Sequence, residues 1–323
     1  MGNKFLSYNP LDSNEDVNVP RRFELQRGIR ARVIADSINP DGDRLTTLEC
    51  IFNRWILAEL NTHRMLSRNS ASSRAIPVKK IMRQVWSDPA EPVSWGSNRA
   101  GMQATSDLTG WRQRLARRIF LWARIPVLIF VWILTKLGLH KQVTNRLLEP
   151  WMWHYAIVSA TEFDNFYKLR DHKDAQPEFQ VLARAMRMAM DNSTPRKLAW
   201  GGWHLPYVQH SVSFNPDNLD WALQASKISA ACCARVSYVR QNDRKSEDED
   251  VKFTDRLSTS GHFSPLEHPA QAVRGRYGNF KGWKQLRKFY PGEDGVIKRV
   301  QHTCAPDSDI DNLYSDDCEA CRV

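Results

Sequence analysis

The stretch THRMLSRNSASSR, residues 62–74, puts three arginines (Arg64, Arg68, Arg74), one histidine and a run of small hydroxyl side chains into thirteen positions. Such a segment is a poor core and a good anion site. Guanidinium forks suit phosphate and carboxylate bidentately, and small side chains let a ligand come close to the backbone.

Four further segments carry unusual chemistry. They are GHFSPLEH (261–268), ARVSY (234–238), RLLEP (146–150) and NFYKLR (165–170), the last followed by Ala175-Gln176 and Glu178. His262 and His268 do not read as a metal pair, because Pro265 lies between them and denies the helical spacing such a pair uses. No Gly-x-Gly-x-x-Gly follows a strand pattern, so a Rossmann dinucleotide site is not supported.

Together these segments resemble the signatures of the flavin-dependent thymidylate synthase (ThyX) family. His63, Arg64 and Ser72 match that family's Arg-His-Arg followed by seven residues and Ser, with Asn69 and Arg74 at flanking positions. The chain departs from it at Thr62, where Arg is usual, at Ser70, where Glu is usual, and at Ala75, where Tyr is usual. Residues 261–268 are similar to Gly-His-x-Ser-Pro-Phe-Glu-His, and residues 234–237 to Ala-Arg-x-Ser. In the family both precede Arg-His-Arg. Here both follow it, so the resemblance implies a circular permutation, tolerable where termini lie close together at a surface.

The resemblance implies an α+β fold with a mixed or antiparallel sheet and packed helices. It implies methylation of dUMP to dTMP, with methylenetetrahydrofolate as carbon donor, FAD as hydride carrier, NADPH as reductant and a homotetramer with active sites between subunits. Arg170 is then the principal catalytic group, with Ser72 and Arg74. Arg146, Arg74, Ser72, Arg170 and Thr62 would hold the nucleotide, and His63, Arg64, Asn69, Asn165, Ser237, His262, Ser264 and Glu267 the flavin. Chemically, C5 of a uracil becomes nucleophilic as negative charge builds on the ring, and a fixed guanidinium nearby stabilises that charge. No cysteine nucleophile is then needed.

Two other readings stay open: a related flavin- and folate-dependent enzyme transferring a methyl or hydroxymethyl group to another pyrimidine nucleotide, and a non-catalytic derivative that binds nucleic acid or a membrane surface. The second is motivated by 46 Lys and Arg against 36 Asp and Glu, a formal charge of +10. On the main reading neither nucleic acid nor a membrane is an expected partner.

The 42% apolar and 25% charged residues are those of a globular chain able to bury a core without disulfides. Six unevenly spread cysteines do not make a secreted framework, and the first residues hold no apolar signal segment, so a cytoplasmic setting is expected. His302, Cys304, Cys318 and Cys321 form a weak candidate zinc set in the tail; no metal is expected elsewhere.

The domain reading is an N-terminal extension (1–27), one large catalytic domain (28–300) and a Cys-containing tail (301–323). A long loop (87–110) and an apolar and basic helix (111–141) are inserted in the domain. Residues 119–139 are nearly long enough to span a bilayer, but Arg124, Pro126 and Lys136 interrupt them; after the basic run Arg112, Arg114, Arg117 and Arg118 the alternative is an interfacial or membrane-anchoring helix, and a buried or oligomer-facing helix is expected. Further along, periodicity predicts a strand and loop over 28–47, helices over 48–66, 143–169 and 176–190, a helix running into a short strand over 226–239, and a solvated loop over 243–250.

Overall fold

The computed structural model describes residues 28–101, 104, 106–208, 219–239 and 246–293. Its centre is a five-stranded sheet in the order β3-β4-β2-β1-β5. Strand β1 (Arg30–Ile38) turns at Asn39, whose side-chain oxygen accepts from the Asp43 amide at 2.9 Å, and returns antiparallel as β2 (Arg44–Asn53). On the other side of β2 lies β4 (Trp153–Ala160), antiparallel, and β4 carries β3 (Ser67–Ser70) at the sheet edge. The two-residue β5 (Arg196–Lys197) runs parallel to β1, so the sheet is mixed.

The α+β class is therefore as expected, but two central strands replace expected helices. Residues 48–53 belong to β2 and residues 153–160 to β4. Both segments are rich in apolar residues, with Glu49 and Asn53 in the first and His154 and Ser159 in the second, and neither alternates cleanly enough to tell strand from helical spacing. Burial on both sides decides the matter: β2 is buried at every position but its first and pairs along its length with β1 and β4. Only the short turns Arg54–Ile56 and Leu57–Leu60 remain helical ahead of residue 62.

One face of this sheet is covered by the helix Pro177–Asp191, which buries Phe179, Leu182, Met186 and Ala189 against Leu48, Cys50 and Phe52. Proline at its first position and Glu178 in its first turn both suit a helix start. A second sheet, β6 (Trp203–His204), β7 (Ala270–Tyr277) and β8 (Phe280–Gln285), meets the first through Leu45, Ala270, Phe280 and Trp283.

A buried polar chain lies at this seam. Thr47 Oγ1 is 2.7 Å from Ser159 Oγ and 2.8 Å from His204 Nε2, His204 Nδ1 is 2.9 Å from Ser37 Oγ, and Ser159 Oγ is 2.8 Å from His268 Nδ1. His268 Nε2 has no hydrogen-bond partner. Burial pushes both imidazoles down to about 3, with His268 adding to the effect on His204.

Three other expectations are corrected. The helix Leu219–Arg235 ends in the 3-10 turn Val236–Tyr238 rather than a strand, with Val239 in the left-handed region at φ 53°. Residues 247–250 open the helix Glu247–Thr259, capped by the Ser246 side chain, and Asp250 is fully buried as the ion-pair partner of Arg235. The sequence gives a cluster of charges there, but one of them faces a buried arginine. Last, of the two expected settings for the long helix Gly110–Lys136, buried or oligomer-facing, the buried one does not hold: only 11% of its most apolar eighteen-residue window lies inside the protein. The zinc candidates His302, Cys304, Cys318 and Cys321 lie outside the described residues.

Candidate active site

The turn Leu57–Leu60 delivers residues 62–66 to the rim of a cavity of about 550 Å³, lined by Thr62, His63, Arg64, Asn165, Leu169 and Arg170 among others. Thr62 closes the turn by donating its hydroxyl to the Glu59 carbonyl at 2.7 Å. His63 is buried, edge-on to Phe166, and its Nε2 accepts from Arg170 Nε at 2.7 Å. Burial, then the Arg170 and Arg68 charges, push the His63 imidazole down to about 4. The ring is neutral at ordinary pH, an acceptor at Nε2 with its proton on Nδ1.

Arg170 ends the helix Asp164–Arg170. It pairs with Glu59 and stacks over the Phe179 ring with its guanidinium carbon 4.9 Å from the centroid. Three contacts on three sides fix this guanidinium before any ligand arrives, which is what electrostatic stabilisation of a developing charge requires.

Glu59, the carboxylate paired with Arg170, lines a larger cavity of about 1260 Å³, where Arg54, Arg146, Glu149, Lys173 and Glu178 also supply charge. Arg146 is exposed there. Its neighbour Asn145 donates to the Ser73 carbonyl at 2.7 Å, and Ser73 Oγ donates to Glu149 at 3.0 Å, so residues 145–149 and 72–74 form one wall.

The opposite flank of β3 is built by the C-terminal segments. Asn69 Nδ2 donates to the Cys233 carbonyl at 2.7 Å, Ser264 Oγ donates to Asn69 Oδ1 at 3.3 Å, and the Ser72 amide donates to the Ser237 carbonyl at 3.0 Å. Gln285 of β8 reaches Ser67 at 2.9 Å. Glu267 is held by Arg287 at 2.6 Å.

Thus Asn69, Ser72, Ser237 and Ser264 come together on one side of β3. Thr62, His63, Arg64, Asn165 and Arg170 come together on another. Arg74 is exposed, as is His262, whose ring bonds Ser260. The sequence reading missed Glu59, Arg54 and Gln285. Nothing in their local pattern marks them, because each acts through a partner distant in sequence.

No family model matches the chain, and no curated protein matches it. Among solved structures, it is similar to a UMP/dUMP methylase, PolB from Streptomyces cacaoi, bound with 5-Br UMP. The identity is 12%, over 51% of this chain and 93% of that one, with a TM-score of 0.40. It is also similar to two structures of Thymidylate Synthase X (ThyX) from Helicobacter pylori with FAD and dUMP. These are 15% and 18% identical, each over 45% of this chain and 67% of that one, with TM-scores of 0.30 and 0.32. Likenesses this weak carry no activity, substrate or cofactor over to this chain.

Proposed function

We infer that this chain is a flavin-dependent enzyme methylating a uridine nucleotide, with dUMP as substrate, dTMP as product and methylenetetrahydrofolate as carbon donor. One observation carries the reading. Segments 62–74, 233–238 and 261–268, the first distant in the chain from the other two and each similar to a separate piece of one signature set, lie hydrogen-bonded side by side. Unrelated surface loops have no reason to converge, whereas a permuted site does.

Arg170, oriented by His63 and Glu59, is placed to lower the energy of a uracil ring as it gains negative charge. Exposed Arg146, which lines the larger cavity, and exposed Arg74, on the segment hydrogen-bonded to residues 145–149, would suit the nucleotide phosphate. The cysteines within the described residues, Cys50, Cys232 and Cys233, are buried, and burial pushes the Cys50 and Cys233 thiols well up. None of them is a ready thiolate nucleophile, which favours the electrostatic route.

The residues of the smaller cavity fit part of a flavin. Met65, Leu66 and Phe166 offer apolar walls, while Arg64 and Asn165 offer a charge and an amide. When bound, FAD would supply the hydride, with NADPH restoring it. By the resemblance Asn69, Ser237, His262, Ser264 and Glu267 also serve the flavin, in a site between subunits of a homotetramer.

The test is the visible spectrum of the purified protein titrated with FAD, with and without dUMP. Retained flavin whose band shifts on adding dUMP is the expected result. A protein that holds no flavin under either condition sinks the reading.

A further inference from the structure

The long helix Gly110–Lys136 lies along the domain rather than inside it. It docks by a narrow stripe. Leu128 and Val131 are buried with Ile81, Val85 and Leu148, Arg124 Nε donates to the Val85 carbonyl at 3.1 Å, and Trp151 Nε1 donates to the Phe120 carbonyl at 3.1 Å. The opposite stripe, Trp111, Leu115, Trp122, Ile129 and Ile133, recurs at helical spacing and is exposed at every position, by 41–65%. Trp132 and Phe130 flank it, more than half exposed.

Charge frames this apolar band. Arg112, Arg114 and Arg118 are exposed at its N-terminal end, and Lys136 lies over the Trp132 ring at the other. Amphipathic length, tryptophans and basic ends describe a helix that rests in a lipid interface, with indoles at headgroup level and cations on anionic headgroups. It cannot be lipid-enclosed on all sides, because its inner stripe is occupied by protein. A second copy of this chain would have to bring acidic residues to meet the arginines, whereas an anionic bilayer supplies that charge everywhere.

We propose that this helix is a monotopic anchor, seating the protein in-plane on an anionic membrane surface through Trp122, Ile129 and Ile133 with Arg112, Arg114 and Arg118. The proposal is independent of the reaction inferred above, since none of these residues lines either cavity.

The experiment is flotation of the purified full chain with vesicles of phosphatidylcholine alone or mixed with phosphatidylserine, at low and high salt, beside sedimentation without lipid. The wild type is expected to float with the anionic vesicles, less so at high salt. The pair Ile129→Glu and Ile133→Glu should weaken binding about tenfold or more. Each of Arg112→Glu, Arg114→Glu and Arg118→Glu should weaken it about fivefold. All sit on exposed positions, so far-ultraviolet dichroism should match the wild type. Absence of flotation, equal flotation with neutral vesicles, or variants that float unchanged would overturn the proposal. So would an Ile129→Glu and Ile133→Glu pair that loses self-association, which would assign the band to a second copy.

Discussion

Acidification should destabilise this fold steeply, because four imidazoles are buried in neutral form: His63, pushed down to about 4, and three others. His154, His204 and His268 are each pushed down to about 3, first by burial, with Arg54 adding to the effect on His154 and His268 to that on His204. Unfolded, each titrates near 6.5. Between those values the unfolded chain binds more protons than the folded one, so stability is fully present above about pH 6.5 and is lost as pH falls toward 3. At about 1.4 kcal/mol per pH unit for each group, moving to about pH 5 removes roughly 2 kcal/mol per histidine and about 8 kcal/mol for the four. That is a large part of an ordinary net stability of about 5–15 kcal/mol. Melting followed by circular dichroism from about pH 7.5 to about pH 5 should show a fall on the order of 10 °C. His268→Gln, which removes the titration while keeping a polar side chain, should lower the melting temperature at neutral pH and flatten the slope by about a quarter. A melting temperature flat across this range, or a slope unchanged in His268→Gln, would refute the reasoning.

Three further outcomes follow from single contacts. Asp250→Asn leaves Arg235 buried without its carboxylate and should cost about 3–5 kcal/mol in chemical denaturation. Asn69→Ala strips the Cys233 carbonyl and Ser264 hydroxyl of their shared partner; it should cost about 1–3 kcal/mol and weaken flavin retention, read by the visible band after gel filtration. Arg170→Lys keeps the charge but loses the Nε donor to His63; turnover of dUMP should fall about a hundredfold or more, with a smaller change in KM.

Much of the site was legible in residue type and order. The density of arginine and hydroxyl at 62–74 marked an anion site before any geometry was known, and NFYKLR placed Arg170 at a helix end, where it is found. The fold was harder to read at its centre. LECIFN and WHYAIVSA are rich in apolar residues because both sheet faces are covered, and such runs lose the clean alternation that identifies a strand. Glu59 and Asp250 escaped because a carboxylate's role is set by the arginine opposite it, and Arg170 and Arg235 are contributed by other elements. The outward face of the long helix could be read only once its docked stripe was known.

The most direct measurement is the mass of the nucleotide recovered after the full chain is incubated with dUMP, FAD, NADPH and methylenetetrahydrofolate. The account predicts dTMP, heavier than dUMP by one methylene, and its loss when FAD is omitted or Arg170 is replaced by lysine. Unchanged dUMP from a protein that holds flavin, or dTMP formed equally without FAD, would contradict it.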